Sequence, residues 1–335
     1  MIVLWGWLED DQRVTPNAVR IIAQRSFMQF LSSDQFGMYA KQDFRYSFSK
    51  LPLSCPTCPP VRFRGSSNMS TFSGNYPIEH RAGEIARLRV QSNAMAPDAL
   101  AMLELFGPMQ GWTCLDIGCG PGGITDLLSA RVGPGGRVIG LDMDAEFLEH
   151  ARQNAPNNVE FRRGDAYQSG LPAGTFDLVH MRFVASTAGN PERLLNEAIR
   201  LARPGGLVAL QEPDGSTLNC YPPHPAWDRL QSVLLAVFKG VGADLELARK
   251  LYFVVRQTGL RDVQYRTALL GVRSVDPMVD YLPSTVESLR ATIFKLGLFS
   301  ESDLATALDE CRQHLKKPGT SFTMYTLAQV WGRTP

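Results

Sequence analysis

The chain has 335 residues, of which 44% are hydrophobic and 20% charged, and its formal net charge is +1. This balance is typical of a globular protein and argues against a surface that attracts nucleic acids or anionic membranes. No apolar run reaches the roughly 18 residues of a membrane-spanning helix, and the first residues are acidic where a secretory signal would be neutral. We therefore expect a cytoplasmic protein with no nucleic-acid or membrane partner.

The first 68 residues differ in composition from the rest of the chain. They end in a segment rich in Pro, Ser and Cys, around residues 51–70, which is typical of a linker. Cys55 and Cys58 form a single C-x-x-C that no second pair follows at zinc spacing, so we expect no metal site. We predict a weakly ordered N-terminal extension over residues 1–68 and a folded domain over residues 69–335.

From about residue 76 the sequence alternates between helical and strand patterns. Two helical stretches, 78–95 and 97–106, are followed by five short apolar segments with amphipathic stretches between them. This alternation predicts an α/β fold with a doubly wound, Rossmann-like sheet, which binds ligands beyond the carboxyl ends of its strands. The five predicted strands lie within residues 112–118, 137–144, 158–166, 175–183 and 207–214.

The last third of the chain is mainly helical by pattern, with a β-rich run at residues 263–272 and a strand candidate at 321–333. A strand, a helical excursion and a final strand fit an antiparallel edge added to the sheet. We therefore predict seven strands with an antiparallel last strand, and lid helices mainly within residues 221–317.

A glycine-rich turn, LDIGCGPGG, follows the first predicted strand. Asp116 ends the strand, and Gly118, Gly120 and Gly122 let the backbone bend sharply and approach a ligand. With Gly123 the turn also satisfies the dinucleotide fingerprint G-x-G-x-x-G, so the glycines alone leave the ligand open.

Three carboxylates, each at the end of a successive predicted strand, separate these two interpretations. Asp116 can receive the ammonium group of an amino acid, whereas it would repel a pyrophosphate. Asp142 stands about 20 residues beyond the turn, where an acid accepts ribose hydroxyls. Asp165 can accept a hydrogen bond from an adenine amino group, with the Ala166 N–H serving a ring nitrogen. Ammonium, ribose and adenine in this order describe S-adenosylmethionine.

In order, LDIGCGPGG, GLDMD, GDA, FDLVHMRF and LARPGGLVALQEPD resemble the motifs of class I S-adenosylmethionine-dependent methyltransferases. The closest resemblance is to the branch of ubiquinone/menaquinone-biosynthesis and small-molecule (secondary metabolism) enzymes, and it is strongest between residues 76 and 214. It implies that the glycine turn wraps the methionyl group, that a preceding helix closes over the cofactor and that two residues after the fourth strand line the methyl-transfer site. The cofactor-binding residues are thus predicted to be Tyr76, Arg87, Gln91, Asp116, Gly118, Cys119, Gly120, Gly122, Asp142, Met143, Asp165, Ala166, Arg182 and Phe183.

The acceptor is less well defined by the sequence. Methyl transfer from a sulfonium is an in-line displacement in which the protein aligns the reactants and excludes water. The apolar stretches in the predicted lid favour a small, hydrophobic or aromatic acceptor. Apolar residues at helical spacing are, however, most often part of the protein core. A hydroxyl acceptor needs a base, and His180, Glu212 and His224 are candidates. Each also has an ordinary packing or capping explanation, so no catalytic residue is assigned.

Other classes of function remain open at this point. An NAD(P)-dependent oxidoreductase uses a similar glycine turn, and a non-catalytic S-adenosylmethionine-binding subunit would keep the same acids. The segment after Phe183 lacks a histidine that relatives often have there, which keeps the second alternative open. A transferase that uses a decarboxylated cofactor for aminopropyl transfer is a weaker third. We expect a small-molecule acceptor as partner, and a monomer or homodimer.

Overall fold

The computed structural model describes residues 83–335. They form a seven-stranded sheet covered by helices and a separate three-stranded antiparallel sheet. The helices are α1 (Glu84–Glu104), α2 (Thr125–Val132), α3 (Ala145–Arg152), α4 (Pro191–Leu201), α5 (Pro225–Gly240), α6 (Ala248–Arg256), α7 (Tyr281–Glu287), α8 (Arg290–Lys295) and α9 (Glu301–Leu315). The strands are β1 (Thr113–Ile117), β2 (Arg137–Asp142), β3 (Val159–Arg163), β4 (Phe176–Arg182), β5 (Ala202–Asp214), β6 (Asn219–Tyr221), β7 (Arg261–Ala268), β8 (Gly271–Arg273), β9 (Ser321–Thr323) and β10 (Thr326–Arg333).

The large sheet has the strand order β3-β2-β1-β4-β5-β10-β7. Strands β1 to β5 pair in parallel, whereas β10 is antiparallel to both of its neighbours, β5 and β7. The predicted doubly wound, seven-stranded sheet with an antiparallel last strand is confirmed. Because the order reverses between β1 and β4, a crevice forms at the carboxyl ends of these strands.

Alternation along each strand assigns its residues to two apolar layers. On β1, Cys114 packs with the buried side chains of α1 and α2, and Leu115 packs with those of α4 and α6. Both residues are fully buried. The sheet is therefore covered on both faces, as parallel sheets require.

One continuous helix, α1, replaces the two helical stretches predicted on either side of residue 96. Pro97 lies inside it and lacks the N–H that would bond the carbonyl group one turn earlier. Met95, Ala99 and Met102 are buried on both sides of this proline, so packing of the helix outweighs the lost hydrogen bond. The prediction of two helices was wrong for this reason.

Helices α5, α7, α8 and α9 pack together around a third apolar cluster, in the region where lid helices were predicted. Leu230, Leu282 and Ile293 are fully buried in this cluster. Helix α6 instead packs on the large sheet. The small sheet, in the order β6-β9-β8, contributes Cys220, Val272 and Phe322 to the same cluster, and the sequence patterns did not predict it.

Some predictions concern residues outside the described range. They are the domain boundary at residues 68/69 and the Cys55/Cys58 pair. Within residues 83–335, no group of three or more His, Cys, Asp or Glu side chains is arranged to hold a metal ion. No helix of that range is long and apolar enough to cross a membrane.

Candidate active site

A cavity of about 1400 Å³ opens at the carboxyl ends of the central parallel strands. Loops after these strands form one side of it, and helices α1, α5, α7 and α8 form the other. The predicted cofactor-binding residues that line it are Arg87, Gln91, Asp116, Gly118, Cys119, Gly120, Gly122, Asp142, Met143, Asp165, Ala166, Arg182 and Phe183. Tyr76 lies outside the described residues. The three acids thus share one cavity, and their contact with a cofactor stays a prediction.

Asp116 lies near the end of β1 and is 2% exposed. Its Oδ1 is 2.7 Å from Nδ1 of His180 on β4. Its Oδ2 lies against the glycine turn, since a Cβ added to Gly123 would stand 2.8 Å from it. One carboxylate oxygen is therefore held by the sheet, and the other faces the turn that lines the cavity.

At Gly118 the glycine turn passes too close to Val184 for any larger residue. Gly118 has a φ of +67°, and a Cβ there would collide with Cγ2 of Val184. The Gly118 N–H donates to the carbonyl of Leu141 at 2.7 Å, and the Gly120 N–H donates to Oδ2 of Asp142 at 2.7 Å. The turn is thus fixed between β2 and the loop after β4, which only a residue without a Cβ permits.

Asp142, the last residue of β2, accepts two main-chain hydrogen bonds. The second comes from the Asp144 N–H to Oδ1, at 2.9 Å. Burial raises the pKa of Asp142, and the bonds from the Gly120 and Asp144 N–H groups oppose this rise. Each carboxylate oxygen has further lone pairs, so the side chain can still accept ligand hydroxyls. Met143, 62% exposed, forms the outer wall here.

The loop after β3 forms the far end of the cavity. Asp165 is exposed, and its Oδ1 accepts a hydrogen bond from the Tyr167 N–H at 2.8 Å. The Tyr167 hydroxyl donates to the Ala188 carbonyl, and the Arg193 guanidinium lies 4.7 Å from the centre of the Tyr167 ring. Tyr167 and Arg193 also line the cavity. Neither residue was predicted from the sequence, because a single aromatic or basic residue in a loop has no distinguishing pattern.

Arg182, the last residue of β4, holds its guanidinium beside the glycine turn. Nη2 donates to Oγ of Ser92 at 2.9 Å, and this hydroxyl donates to the Gly123 carbonyl at 2.8 Å. Nη1 is buried and has no hydrogen-bond partner within residues 83–335. Burial lowers the pKa of Arg182, and nearby Asp116 opposes this effect. A buried, unpaired guanidinium N–H is costly in free energy, and it fits an anionic ligand in the cavity.

Phe183 follows in a left-handed conformation, with a φ of +60°. Glu212 on β5 fixes the turn after it, because its carboxylate accepts the N–H groups of Val184, Ala185 and Ser186 at 3.2, 2.9 and 3.1 Å. Burial raises the pKa of Glu212 to about 7. Glu212 does not line the cavity itself, but it fixes the turn that forms part of the cavity wall.

Arg87 and Gln91 lie on a face of α1 that is turned away from solvent. Arg87 pairs with Glu84 at 2.7 Å and donates to the Gln91 side chain at 3.0 Å and to Thr285 on α7 at 3.3 Å. Arg87 therefore connects α1 to the helical layer. Its predicted contact with a cofactor stays a prediction.

Two tyrosines form a polar end of the cavity beside Phe183. The hydroxyls of Tyr281 and Tyr325 are 3.5 Å apart, and Nε2 of Gln91 is 3.5 Å from the Tyr325 hydroxyl. Tyr325 packs edge-on against Phe183, with 5.6 Å between ring centres. Burial raises the pKa of both tyrosines. An apolar wall completes this end, formed by Leu234, Phe238, Val241, Leu245 and Leu296.

The three candidate bases do not line this cavity. His180 and Glu212 are fully buried in the sheet. His224 caps α5 by accepting the Ala226 N–H at 3.2 Å, and it stacks on His314 at 4.5 Å. Packing or capping therefore accounts for each of them.

Residues 115–210 match a sequence family described as a methyltransferase domain. The match begins in β1 and ends in β5, so it includes the glycine turn and the three acids. It confirms the resemblance inferred from the motifs: residues 115–210 carry a methyltransferase domain.

Individual proteins match shorter parts of the chain. An uncharacterized protein in a transposon of Streptomyces fradiae is 38% identical over 170 residues, 44% of this chain and 49% of that protein. Demethylmenaquinone methyltransferase of Lactococcus lactis is 35% identical over 123 residues, 36% of this chain and 49% of that enzyme. An arsenic(III) S-adenosylmethionine methyltransferase of Chlamydomonas reinhardtii has a TM-score of 0.41 at 21% identity, covering 68% of this chain and 65% of that one. The chain spans about half the length of the Streptomyces and Lactococcus relatives.

Proposed function

We propose that this protein transfers the methyl group of S-adenosylmethionine to a small, hydrophobic or aromatic acceptor. The observation that carries this proposal is a pair of opposite charges beside the glycine turn. Asp116 has an oxygen against the turn, and Arg182, in the wall of the same cavity, has a buried N–H group with no hydrogen-bond partner among residues 83–335. An α-amino acid carries an ammonium and a carboxylate on one carbon, so this pair fits a methionyl group.

The rest of the cavity fits the remaining parts of the cofactor. The Asp142 carboxylate would accept ribose hydroxyls, and the lone pairs that its main-chain bonds leave available support this role. Asp165 and the Ala166 N–H would frame the adenine, with Tyr167 beside it. These residues follow β2 and β3 in the order in which the sheet places the strands, which supports an extended ligand along its edge.

When bound, the cofactor supplies a methyl group on a positively charged sulfur. The chain contributes alignment and exclusion of water. Phe183 stands next to Arg182 and is supported by Tyr325, so it lies where the cofactor half of the cavity meets the acceptor half. Apolar surroundings favour a transition state in which that charge is being lost.

We infer that the acceptor carries an oxygen substituent on an apolar frame. The buried hydroxyls of Tyr281 and Tyr325 are 3.5 Å apart, and the Tyr325 hydroxyl lies 3.5 Å from Nε2 of Gln91 and 3.8 Å from Sδ of Met95. Distances of 3.5 Å are long for a hydrogen bond between these atoms. An acceptor oxygen would give them a better partner, and the apolar wall would hold its ring or chain. The name of the Lactococcus relative indicates a demethylmenaquinone substrate for that enzyme, which supports this class.

Two measurements test the proposal. Protein incubated with methyl-labelled S-adenosylmethionine and extracted metabolites should transfer label to an organic-soluble compound, and calorimetry should show binding of S-adenosylhomocysteine. Binding of NADH without binding of S-adenosylhomocysteine would overturn the proposal in favour of an oxidoreductase. Cofactor binding without label transfer into any extract would instead indicate a non-catalytic subunit.

Asp142→Ala should weaken S-adenosylhomocysteine binding by about 1–3 kcal/mol, because ligand hydroxyls and the Gly120 N–H lose their acceptor. Binding of 5′-methylthioadenosine, which has the same ribose, should weaken equally. Asp177→Ala is the matched control, since Asp177 bonds Thr113 and Arg203 at the other end of the strands. Unchanged affinity in Asp142→Ala would show that the ribose binds elsewhere.

A further inference from the structure

Four polar side chains lie in a row on the face of the sheet that α1 covers. Asp116, His180, Gln211 and Gln329 come from β1, β4, β5 and β10, and none is more than 2% exposed. Asp116 is the direct register partner of His180, and Gln211 that of Gln329. Such a row in an otherwise apolar layer is costly unless every member is hydrogen-bonded.

The row is continuous from the cavity to helix α1. Asp116 Oδ1 is 2.7 Å from His180 Nδ1, and His180 Nε2 is 2.8 Å from Gln211 Nε2. Gln211 Oε1 is 2.7 Å from Gln329 Nε2, which is also 3.0 Å from the main-chain carbonyl of Asp98. The carbonyl oxygen belongs to the helix that forms one wall of the site.

One group in this row decides the direction of every hydrogen bond. The Asp98 carbonyl can only accept, so the Gln329 amide must turn its NH₂ group toward it. That NH₂ group also faces Gln211, which must present its oxygen to Gln329 and its own NH₂ group to His180. His180 therefore accepts at Nε2, carries its proton on Nδ1 and donates to Asp116.

This orientation leaves Oε1 of Gln329 buried without a hydrogen-bond partner among the described residues. Turning the Gln329 amide over would place its oxygen against the Asp98 carbonyl oxygen. It would also require the Gln211 amide to turn over and place its oxygen at His180 Nε2. One unpaired oxygen at the end of the row is the smaller cost.

We propose that His180 is a positioning residue that orients Asp116 toward the ammonium group of the bound cofactor, with its tautomer set by the Gln211–Gln329–Asp98 row. This inference rests on the proposed function. Donation from Nδ1 occupies Oδ1 and holds the carboxylate plane, so that Oδ2 stays at the glycine turn. The row thereby connects α1 and four strands to one ligand contact.

Nitrogen-15 NMR of histidine-labelled protein reads the tautomer directly. The chain has five histidines, and the His180 signals are assigned by their absence in His180→Asn. We expect a neutral ring with the proton on Nδ1 and an accepting Nε2. A proton on Nε2, or a doubly protonated ring, would overturn the argument from the Asp98 carbonyl.

Binding measurements separate positioning from a general structural role. His180→Leu removes the donor, so S-adenosylhomocysteine should bind about tenfold or more weakly. The affinity for 5′-methylthioadenosine, which lacks the amino-acid group, should stay within about twofold of wild type. His180→Asn keeps a donor near the Nδ1 position and should restore most of the affinity for S-adenosylhomocysteine. His224→Leu, a histidine removed from a helix cap, is the control for loss of stability and should leave both affinities unchanged.

Each outcome bears on one of the two proposals. Equal weakening of both ligands in His180→Leu, or no weakening of either, would overturn the positioning role while the proposed function stands. Wild-type protein that binds no S-adenosylhomocysteine would overturn the proposed function and the positioning role with it.

Discussion

Replacing Glu212 by alanine is expected to lower the free energy of unfolding by about 3–5 kcal/mol. The change leaves the N–H groups of Val184, Ala185 and Ser186 without their acceptor in a region closed to water. Phe183, held just before this turn with a φ of +60°, would lose its support. Guanidinium denaturation measures the loss, and a change below about 1 kcal/mol would contradict the capping role.

Glu212 should also give the stability a distinct pH dependence. Burial raises its folded-state pKa from 4.5 to about 7, so the folded protein binds this proton more tightly than the unfolded chain. The part of the stability that comes from this bound proton is therefore fully present below pH 4.5 and is lost as the pH rises through about 7. A shift of this size corresponds to about 3 kcal/mol.

The variant Glu212→Gln isolates this effect, because glutamine keeps an acceptor oxygen and does not titrate. The stability of the wild type relative to this variant should fall between about pH 5 and about pH 7.5. The same pH dependence in both proteins would show that Glu212 does not titrate in this range.

Gly118→Ala is expected to lower the free energy of unfolding by about 3–4 kcal/mol, because the backbone is left-handed there and the new Cβ would collide with Val184. Gly120→Ala is the matched control: its φ is also positive, +55°, but a Cβ there meets nothing within 4 Å. That variant should lose only about 1–2 kcal/mol. Guanidinium denaturation of both variants gives the difference in their free energies of unfolding, and this difference measures the cost of the collision.

Val184→Ala provides a second control for the Gly118 prediction. Removing the colliding methyl groups should recover part of the loss, with a coupling energy of at least about 1 kcal/mol in a double-mutant cycle. Equal costs for Gly118→Ala and Gly120→Ala, or additive effects with Val184→Ala, would contradict the close approach of these two loops.

The positions of the acids were predictable because each lies at or just beyond the carboxyl end of its own strand. Asp116, Asp142 and Asp165 belong to successive parallel strands, whose carboxyl ends meet at one edge. No knowledge of the register is needed for this inference. Arg182 and Phe183, by contrast, were predicted from the family resemblance, and both line the cavity.

The polar row shows why other features were not predictable. His180 was considered as a base or a packed residue, and its partner Asp116 lies 64 positions away. Gln211 and Gln329 are separated by 118 positions, and neither was singled out as a candidate residue, although Gln211 lies within one of the quoted motifs. The pattern of polar and apolar residues along β5 and β10 does not indicate that these two glutamines are buried together on one face of the sheet. Likewise Tyr325 contacts Phe183, and Tyr281 contacts Tyr325, only because segments that are far apart along the chain pack together.

By itself, the sequence determined the α/β class, the glycine turn, the acids and the family, since each depends on residues adjacent along the chain. Only the tertiary structure decided that α1 continues through Pro97, that Glu212 caps a turn and that His180 donates to Asp116. The physical reason is that strand register and burial decide which distant polar groups must satisfy one another, and neither is encoded in a local pattern.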